Sequence, residues 1–232
     1  MSQDLSRSAN RLLAALPEIE YQRLEPYLTS CSLTAGTVLY EASEKIETVY
    51  FPNTALISLV DLLSDGTSTE IALIGGTGMV GLPVVLSNSY SNQRAIVQVP
   101  DHALKISAIV LKREFDRGGE LQKILLNYAQ TRLNETAQLA VCNRHHIIEQ
   151  RLARWLLSVQ DLTQSDELPL TQEFLGNMLG VRRPGVTIAA GVLQKAGLIR
   201  YSRGKITVLT RSGLEDSACE CYELFHAHFY RE

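Results

Sequence analysis

The chain has 232 residues, of which 45% are hydrophobic and 20% charged, with a formal net charge of −3. At about 100–200 residues per domain this length fits one or two domains, and the composition excludes wholesale disorder, collagen and low-complexity scaffolds. The balance of charge also gives no global positive field for nucleic acid or an anionic membrane. Four cysteines, Cys31, Cys142, Cys219 and Cys221, form no dense framework and read as reduced thiols rather than as a disulfide scaffold. The opening MSQDLSRSANRLLAALPEIE lacks the apolar core of a signal peptide. The longest apolar stretches, such as Met79–Leu86, fall short of the roughly 20 residues that span a bilayer. The expectation is a soluble, cytoplasmic protein.

The first thirty residues carry Leu12, Leu13, Leu16, Ile19 and Leu24 at helical spacing, interrupted by Pro17 and Pro26. From Ser32 to Ser107 the texture changes to short apolar runs: 37–40, 48–51, 56–63, 70–74, 94–99 and 103–106. Turn signals separate them, among them Asp65-Gly66, Gly75-Gly76 and the Ser/Asn-rich 87–92. This spacing predicts a small antiparallel barrel or sandwich. Beyond Gly118-Gly119, Leu121, Leu125, Tyr128, Leu139 and Cys142 fall on or near one stripe, repeating by sevens. A heptad seam predicts a long helix pairing with its own copy, the dimer interface. Arg132 and Glu135 interrupt the seam, and the competing reading is a long helix packed on its own domain. A second helix is predicted over 147–162.

Residues 163–212 form a compact pattern. Thr171 suits an N-cap, and Gln172–Leu179 carries Phe174, Leu175, Met178 and Leu179 on one face. Gly180 is placed as a left-handed stop, and Pro184 opens the next helix, which runs through Val186, Ile188, Ala189, Val192 and Leu193 to Gly197. Two runs, 198–201 and 205–209, then flank Ser202-Arg203-Gly204 as a hairpin. The whole predicts a winged helix-turn-helix. This segment carries a net +4 and the rest of the chain −7. An acidic body with a basic end module suits a regulator that grips DNA through one end. Arg182 and Arg183 start the second helix, where side chains meet base edges in the major groove. Gly185 and Thr187 are small enough for close approach. Arg200, Arg203 and Lys205 on the hairpin suit phosphate contact, and Thr171 joins them as a DNA-binding candidate.

The segment LTQEFLGNMLGVRRPGVTIAAGVLQKAGLIRYSRGKITVL, residues 170–209, resembles the DNA-binding domain of the Crp/Fnr family of bacterial transcription regulators. Gly180, Arg183, Val186, Leu193 and Leu198-Ile199 carry the match. The order of parts agrees over nearly the whole chain. The resemblance implies an α+β fold with an N-terminal antiparallel β-roll of the cyclic-nucleotide-binding kind (1–118), a long dimerisation helix (119–146) and a winged helix-turn-helix (147–232). Arg183 matches the family's base-reading arginine, with Arg182, Gly185 and Ile188 on neighbouring positions of the recognition helix. Pro184 stands where many members have Glu, and Ile188 replaces an often polar contact residue, so the preferred DNA sequence is expected to differ. The resemblance also implies double-stranded DNA, a second copy of the chain and RNA polymerase as partners.

In the family's cyclic-nucleotide binders a Glu accepts the ribose 2′-OH and an Arg followed by Ser or Thr holds the cyclic phosphate. The corresponding residues here are Gly81, Leu82, Arg94 and Ala95. Leucine accepts no hydrogen bond, which leaves the hydroxyl unpaired at a cost of about 1–3 kcal/mol. Control by cyclic AMP is therefore not expected, and the β-roll reads as a changed or degenerate sensor.

An iron–sulfur sensor needs about four clustered thiolates, and Cys31 is the only early one. Cys219, Cys221, His226 and His228 bring soft ligands together in sequence. The segment reads as one helix through Leu214, Ala218, Tyr222 and Phe225, which puts Cys219 and His226 about 10 Å apart, too far for one zinc. Cys142 through His146 reads as helix end and hinge. No metal and no cofactor is expected. Asp161 and Asp166-Glu167 read as a solvated loop. With no glycine-rich phosphate loop, nucleophile elbow or paired catalytic carboxylates, the chain is not expected to be an enzyme. The function expected is a sequence-specific, homodimeric regulator on a pseudo-palindromic site. The alternative is a ligand-binding or protein-interaction module that has lost DNA binding.

Overall fold

A computed structural model of the chain describes residues 9–230 apart from 65, 67, 87, 88 and 203, and without the side chains of 173 and 226–230. The described residues divide into two compact units: one comprises residues up to Asp61 together with Ala72–Leu133, the other Leu62–Ile71 together with Asn134 onward. No helix among the described residues is long and apolar enough to cross a membrane.

The first unit opens with α1 (Arg11–Ala14) and α2 (Glu18–Leu24). Buried Asn10 caps α1 through its Oδ1 and donates from Nδ2 to the carbonyls of Pro52 at 2.8 Å and Gly78 at 2.9 Å. Seven strands follow in the chain, with Leu62 of β4 and residues 68–71 of β5 falling in the second unit: β1 (Thr29–Leu33), β2 (Val38–Tyr40), β3 (Thr48–Pro52), β4 (Leu56–Leu62), β5 (Ser68–Ile74), β6 (Arg94–Val99) and β7 (Asp101–Ser107). They form two antiparallel sheets in the orders β1-β7-β3 and β2-β6-β4-β5. Alternating residues such as Val49, Phe51, Ile57, Val97 and Ile106 point into one shared core. A short α3 (Pro83–Leu86) interrupts the strands, and α4 (Ala108–Asp116) follows β7.

Helix α5 (Glu120–His145) begins after Gly118 and Gly119, both at positive φ. Its stripe corrects one expectation. Leu121, Leu125 and Tyr128 are buried in the core of the first unit rather than on a free seam. The Tyr128 hydroxyl donates to the Met79 carbonyl at 3.2 Å, and a Cβ on Gly78 would stand 2.6 Å from that hydroxyl. Further along, Cys142 is buried against other cysteines and Leu139 packs beside it. A 3.6-residue stripe marks an apolar face but not what covers it; here the chain itself does. The large exposed apolar residues of α5 are Leu126, Leu133 and Val141.

The second unit contains α6 (Ile148–Thr163), β8 (Glu167–Leu168), α7 (Gln172–Leu179), α8 (Arg183–Lys195), β9 (Ile199–Ser202), β10 (Lys205–Val208), α9 (Arg211–Ser217) and α10 (Cys221–Tyr230). The strands form a small antiparallel sheet in the order β8-β10-β9. Leu152, Leu156, Leu175, Val186, Leu193, Ile206 and Leu214 are buried. Trp155 meets Phe174 edge to face at 5.8 Å and donates to the buried Glu70 at 2.7 Å. Two further expectations are corrected here. Glu167 is a strand residue, and Asp161 lies on α6, where it takes an ion pair from Arg211 at 2.8 Å and a hydrogen bond from the Tyr222 hydroxyl at 2.8 Å. The C-terminal segment is not one helix: Ala218 is extended, and the break before Cys221 separates α9 from α10.

Candidate DNA-binding site

Helices α7 and α8 are joined by the turn Gly180–Arg182, and local chemistry accounts for both ends. Thr171 caps α7, its hydroxyl accepting from the Phe174 N–H at 3.1 Å. Gly180 ends α7 at φ +61, the left-handed conformation that costs other residues about 1–2 kcal/mol. A Cβ on Gly176 would stand 3.0 Å from the Val181 carbonyl, so the turn folds tightly against α7. Buried Arg151 donates to the Leu179 carbonyl, placing a cation at the C-terminus of α7. Pro184 sits in the first turn of α8, where no N–H is needed.

On α8, Val186, Ala189, Ala190 and Leu193 are buried, so the opposite face is presented outward. Arg182 is the N-cap and Arg183 the first residue of the helix, and both are exposed. No hydrogen bond or ion pair with a described residue engages either guanidinium, which leaves ten N–H donors at one helix start. Thr187 is exposed one turn later, within 3.0 Å of Gln172 Oε1 and 3.1 Å of the Arg183 carbonyl. Gln172, which sequence reasoning passed over, thus fixes the Thr187 hydroxyl from the neighbouring helix. Ile188 is 64% exposed and Val192 48% exposed, an apolar strip beside the arginines. Gly185 is half-buried; a Cβ there would stand 3.2 Å from the Ile148 side chain, so its smallness serves helix packing.

The hairpin β9–β10 holds Arg200 exposed, opposite Thr207 in register. Lys205 is ion-paired with Glu167 on β8, a partner hidden in sequence by the shortness of that strand. Arg203 lies outside the described residues. Thr171 serves as a helix cap, so its hydroxyl is already engaged.

In the first unit, Arg94 pairs with Glu41 at 2.6 Å, which neutralises the cation expected to face a cyclic phosphate. Ala95 is fully buried in the core, and Leu82 packs against it. Gly81 has φ +109, and a Cβ would stand 3.0 Å from the Val49 side chain. These four residues are accounted for by packing and by the ion pair.

One group of described residues has the composition of a metal site, joining two sequence segments that were read apart: Cys142, His146, Cys219 and Cys221. Cys142 is held well below the ordinary thiol range because Cys219 donates a hydrogen bond to it, with Arg154 and His146 acting the same way against burial. Cys219 is correspondingly raised by that bond and by burial.

Residues 150–217 match the family model of the Crp-like helix-turn-helix domain. A search of the curated proteins finds no match. Among solved structures, a protein of Eubacterium rectale ATCC 33656 described as a transcriptional regulator of the Crp/Fnr family is 19% identical, over 90% of this chain and 98% of its own, with a TM-score of 0.72. FixK2 of Bradyrhizobium japonicum is 18% identical over 83% of this chain and 98% of its own, with a TM-score of 0.71. A Crp/Fnr-family regulator of Thermus thermophilus is 22% identical over 82% of this chain and 98% of its own, with a TM-score of 0.69. Residues 150–217 thus resemble a Crp-like helix-turn-helix domain, and the chain shares the fold of these regulators over most of its length.

Proposed function

We propose that the protein acts as a homodimer on a pseudo-palindromic DNA site and does so without cyclic AMP. The observation that carries this reading is the start of α8, where Arg182 and Arg183 stand exposed above a buried apolar face and no described residue engages either guanidinium. Arg183 bonds guanine O6 and N7 together, and Arg182 serves the adjoining base or phosphate. Exposed Ile188 reads a thymine methyl, the apolar contact available in the major groove. Arg200 holds phosphate from the hairpin, and Thr187 is positioned by Gln172.

Dimerisation is assigned to the exposed face of α5. Leu126 and Leu133 lie one heptad apart on that face, and Val141 extends the apolar run. Two copies related by a two-fold axis present two recognition helices to successive major grooves about 34 Å apart. Independence from cyclic AMP rests on Arg94, already paired with Glu41, and on Leu82, which offers no acceptor to a ribose hydroxyl.

Selection from random DNA duplexes by the purified full chain, with and without added cyclic AMP, tests this reading. Recovery of one inverted repeat in both arms is expected. Recovery only with cyclic AMP refutes the independence, and no enrichment in either arm refutes sequence-specific binding.

A further inference from the structure

The cysteines that the DNA-binding reading leaves unused converge on one point. Cys142 and His146 are four residues apart at the end of α5, and the His146 N–H still donates to the Cys142 carbonyl at 3.1 Å. That closed turn puts both side chains on one face. Cys219 lies in the break between α9 and α10, and Cys221 opens α10; the Tyr222 N–H donates back to the Cys219 carbonyl at 2.9 Å, folding the C-x-C segment on itself. Tyr222 in turn is anchored to Arg211 at 2.6 Å and to Asp161 at 2.8 Å. The four ligand atoms all lie within 4.8 Å of one another.

We propose that Cys142, His146, Cys219 and Cys221 bind a single zinc ion, a structural site that staples the end of α5 to the α9–α10 junction. The spacings are those of one tetrahedral ion. With Zn–S of about 2.3 Å and Zn–N of about 2.0–2.1 Å, neighbouring sulfurs stand about 3.8 Å apart and a sulfur and a nitrogen about 3.6 Å. Here Cys142 Sγ and Cys219 Sγ are 3.6 Å apart, as are Cys221 Sγ and His146 Nδ1. An iron–sulfur cluster distributes its cysteines over separate irons and needs a wider cage. Four protein ligands leave no open position, which marks the site as structural rather than catalytic.

The groups around the ligands fit the same ion. His146 turns Nδ1 toward Cys221 and Nε2 toward Glu220 Oε2 at 3.1 Å. The carboxylate holds the proton on Nε2 and leaves the Nδ1 lone pair for the metal, the arrangement by which carboxylates orient ligating histidines. Gln138 Nε2 donates to Cys221 Sγ at 3.0 Å. Three thiolates, a neutral imidazole and a divalent cation sum to −1. Arg151 and Arg154 are buried nearby, and among the described residues no carboxylate pairs with either. Arg154 lies over the Phe225 ring at 4.9 Å, beside the cysteines. A cluster of neutral thiols leaves these two cations without a counter-charge; a thiolate-rich zinc site supplies one.

The test uses the full chain, purified under reducing conditions without added metal. Its zinc content is measured, and after chelation Co²⁺ is titrated and followed by absorption. Expected are one zinc per chain, a one-to-one Co²⁺ endpoint with thiolate-to-cobalt charge-transfer bands and tetrahedral d–d bands, and bleaching by Zn²⁺. Glu220→Gln, at a residue whose side chain is 75% exposed, should stay folded and weaken Co²⁺ binding by about 10–100-fold. Cys31→Ser should change nothing, and Cys142→Ser should abolish the charge-transfer signal. Reduced wild-type protein that binds neither ion, a weak octahedral Co²⁺ spectrum, an iron–sulfur chromophore in anaerobic preparations, or undiminished affinity in folded Cys142→Ser would each overturn the proposal.

Discussion

Cys142 and Cys219 lie 77 positions apart in the chain and hold their sulfurs 3.6 Å apart. The contact joins the last turn of α5 to the break that follows α9, two places that carry no regular hydrogen-bond ladder between them. Beside it, Arg211 on α9 bonds Asp161, Gln160 and Tyr222, so the C-terminal helices are fixed to α6 by polar contacts as well as by apolar burial.

Arg211→Ala removes the centre of that network. The Tyr222 hydroxyl and the Asp161 carboxylate then each lose a charged partner, and the expected loss is about 1–3 kcal/mol. Trp155 is the only tryptophan in the chain and lies in the second unit, so its fluorescence during urea unfolding reports this change directly. An unchanged midpoint would show that the network adds nothing to stability.

Glu20 caps the start of α5. Its carboxylate accepts from the Glu120 N–H at 3.0 Å and the Leu121 N–H at 2.8 Å, and a Cβ on Gly119 would stand 2.7 Å from it. The Leu121 N–H lowers the Glu20 pKa from its ordinary 4.5, against a smaller opposing effect of burial, with the Glu120 N–H, Arg23 and Lys123 adding to the lowering. A depressed acid contributes stability that is full above the unfolded value and is lost as pH falls through the folded one. Glu20→Gln should therefore cost about 0.5–2 kcal/mol at neutral pH and little at pH values below the folded pKa. Circular dichroism of thermal unfolding across the acid range checks it; equal losses at both ends would contradict the cap.

Leu133 is 66% exposed on α5, a large apolar side chain turned to solvent in the single chain. Leu133→Glu should leave the fold intact and convert the proposed dimer to monomer, with DNA affinity falling at least about tenfold at nanomolar protein. Sedimentation velocity gives the first readout and anisotropy the second. A dimer that survives this change would move the interface elsewhere.

The strands of the first unit were legible because their apolar residues alternate: β6 occupies residues 94–99, and β3 differs from the expected 48–51 by one residue. Strand β1 was not, since Thr-Ser-Cys-Ser-Leu buries only Leu33 and depends on pairing with β7. The helix-turn-helix was legible through its punctuation, Thr171, Gly180 and Pro184, each of which satisfies a local backbone need. The partner of the α5 stripe was not, because periodicity carries no information about what lies opposite; Leu121, Leu125 and Tyr128 face their own core. The thiol cluster was hidden by an apolar spacing, Leu214, Ala218, Tyr222 and Phe225, that imitates one helix across the extended residue Ala218. Lys205 lost its freedom to Glu167 through a two-residue strand too short to leave a pattern.

The most direct test of DNA recognition by α8 compares wild-type protein with Arg183→Ala on the selected duplex and on a scrambled one, by anisotropy at two salt concentrations. Wild-type affinity should fall steeply with added salt and favour the selected duplex. Arg183→Ala should lose about 1–3 kcal/mol on the selected duplex, about 5–150-fold, and little on the scrambled one. Equal affinity of the two proteins for the selected duplex would contradict the assignment of α8 as the reading helix.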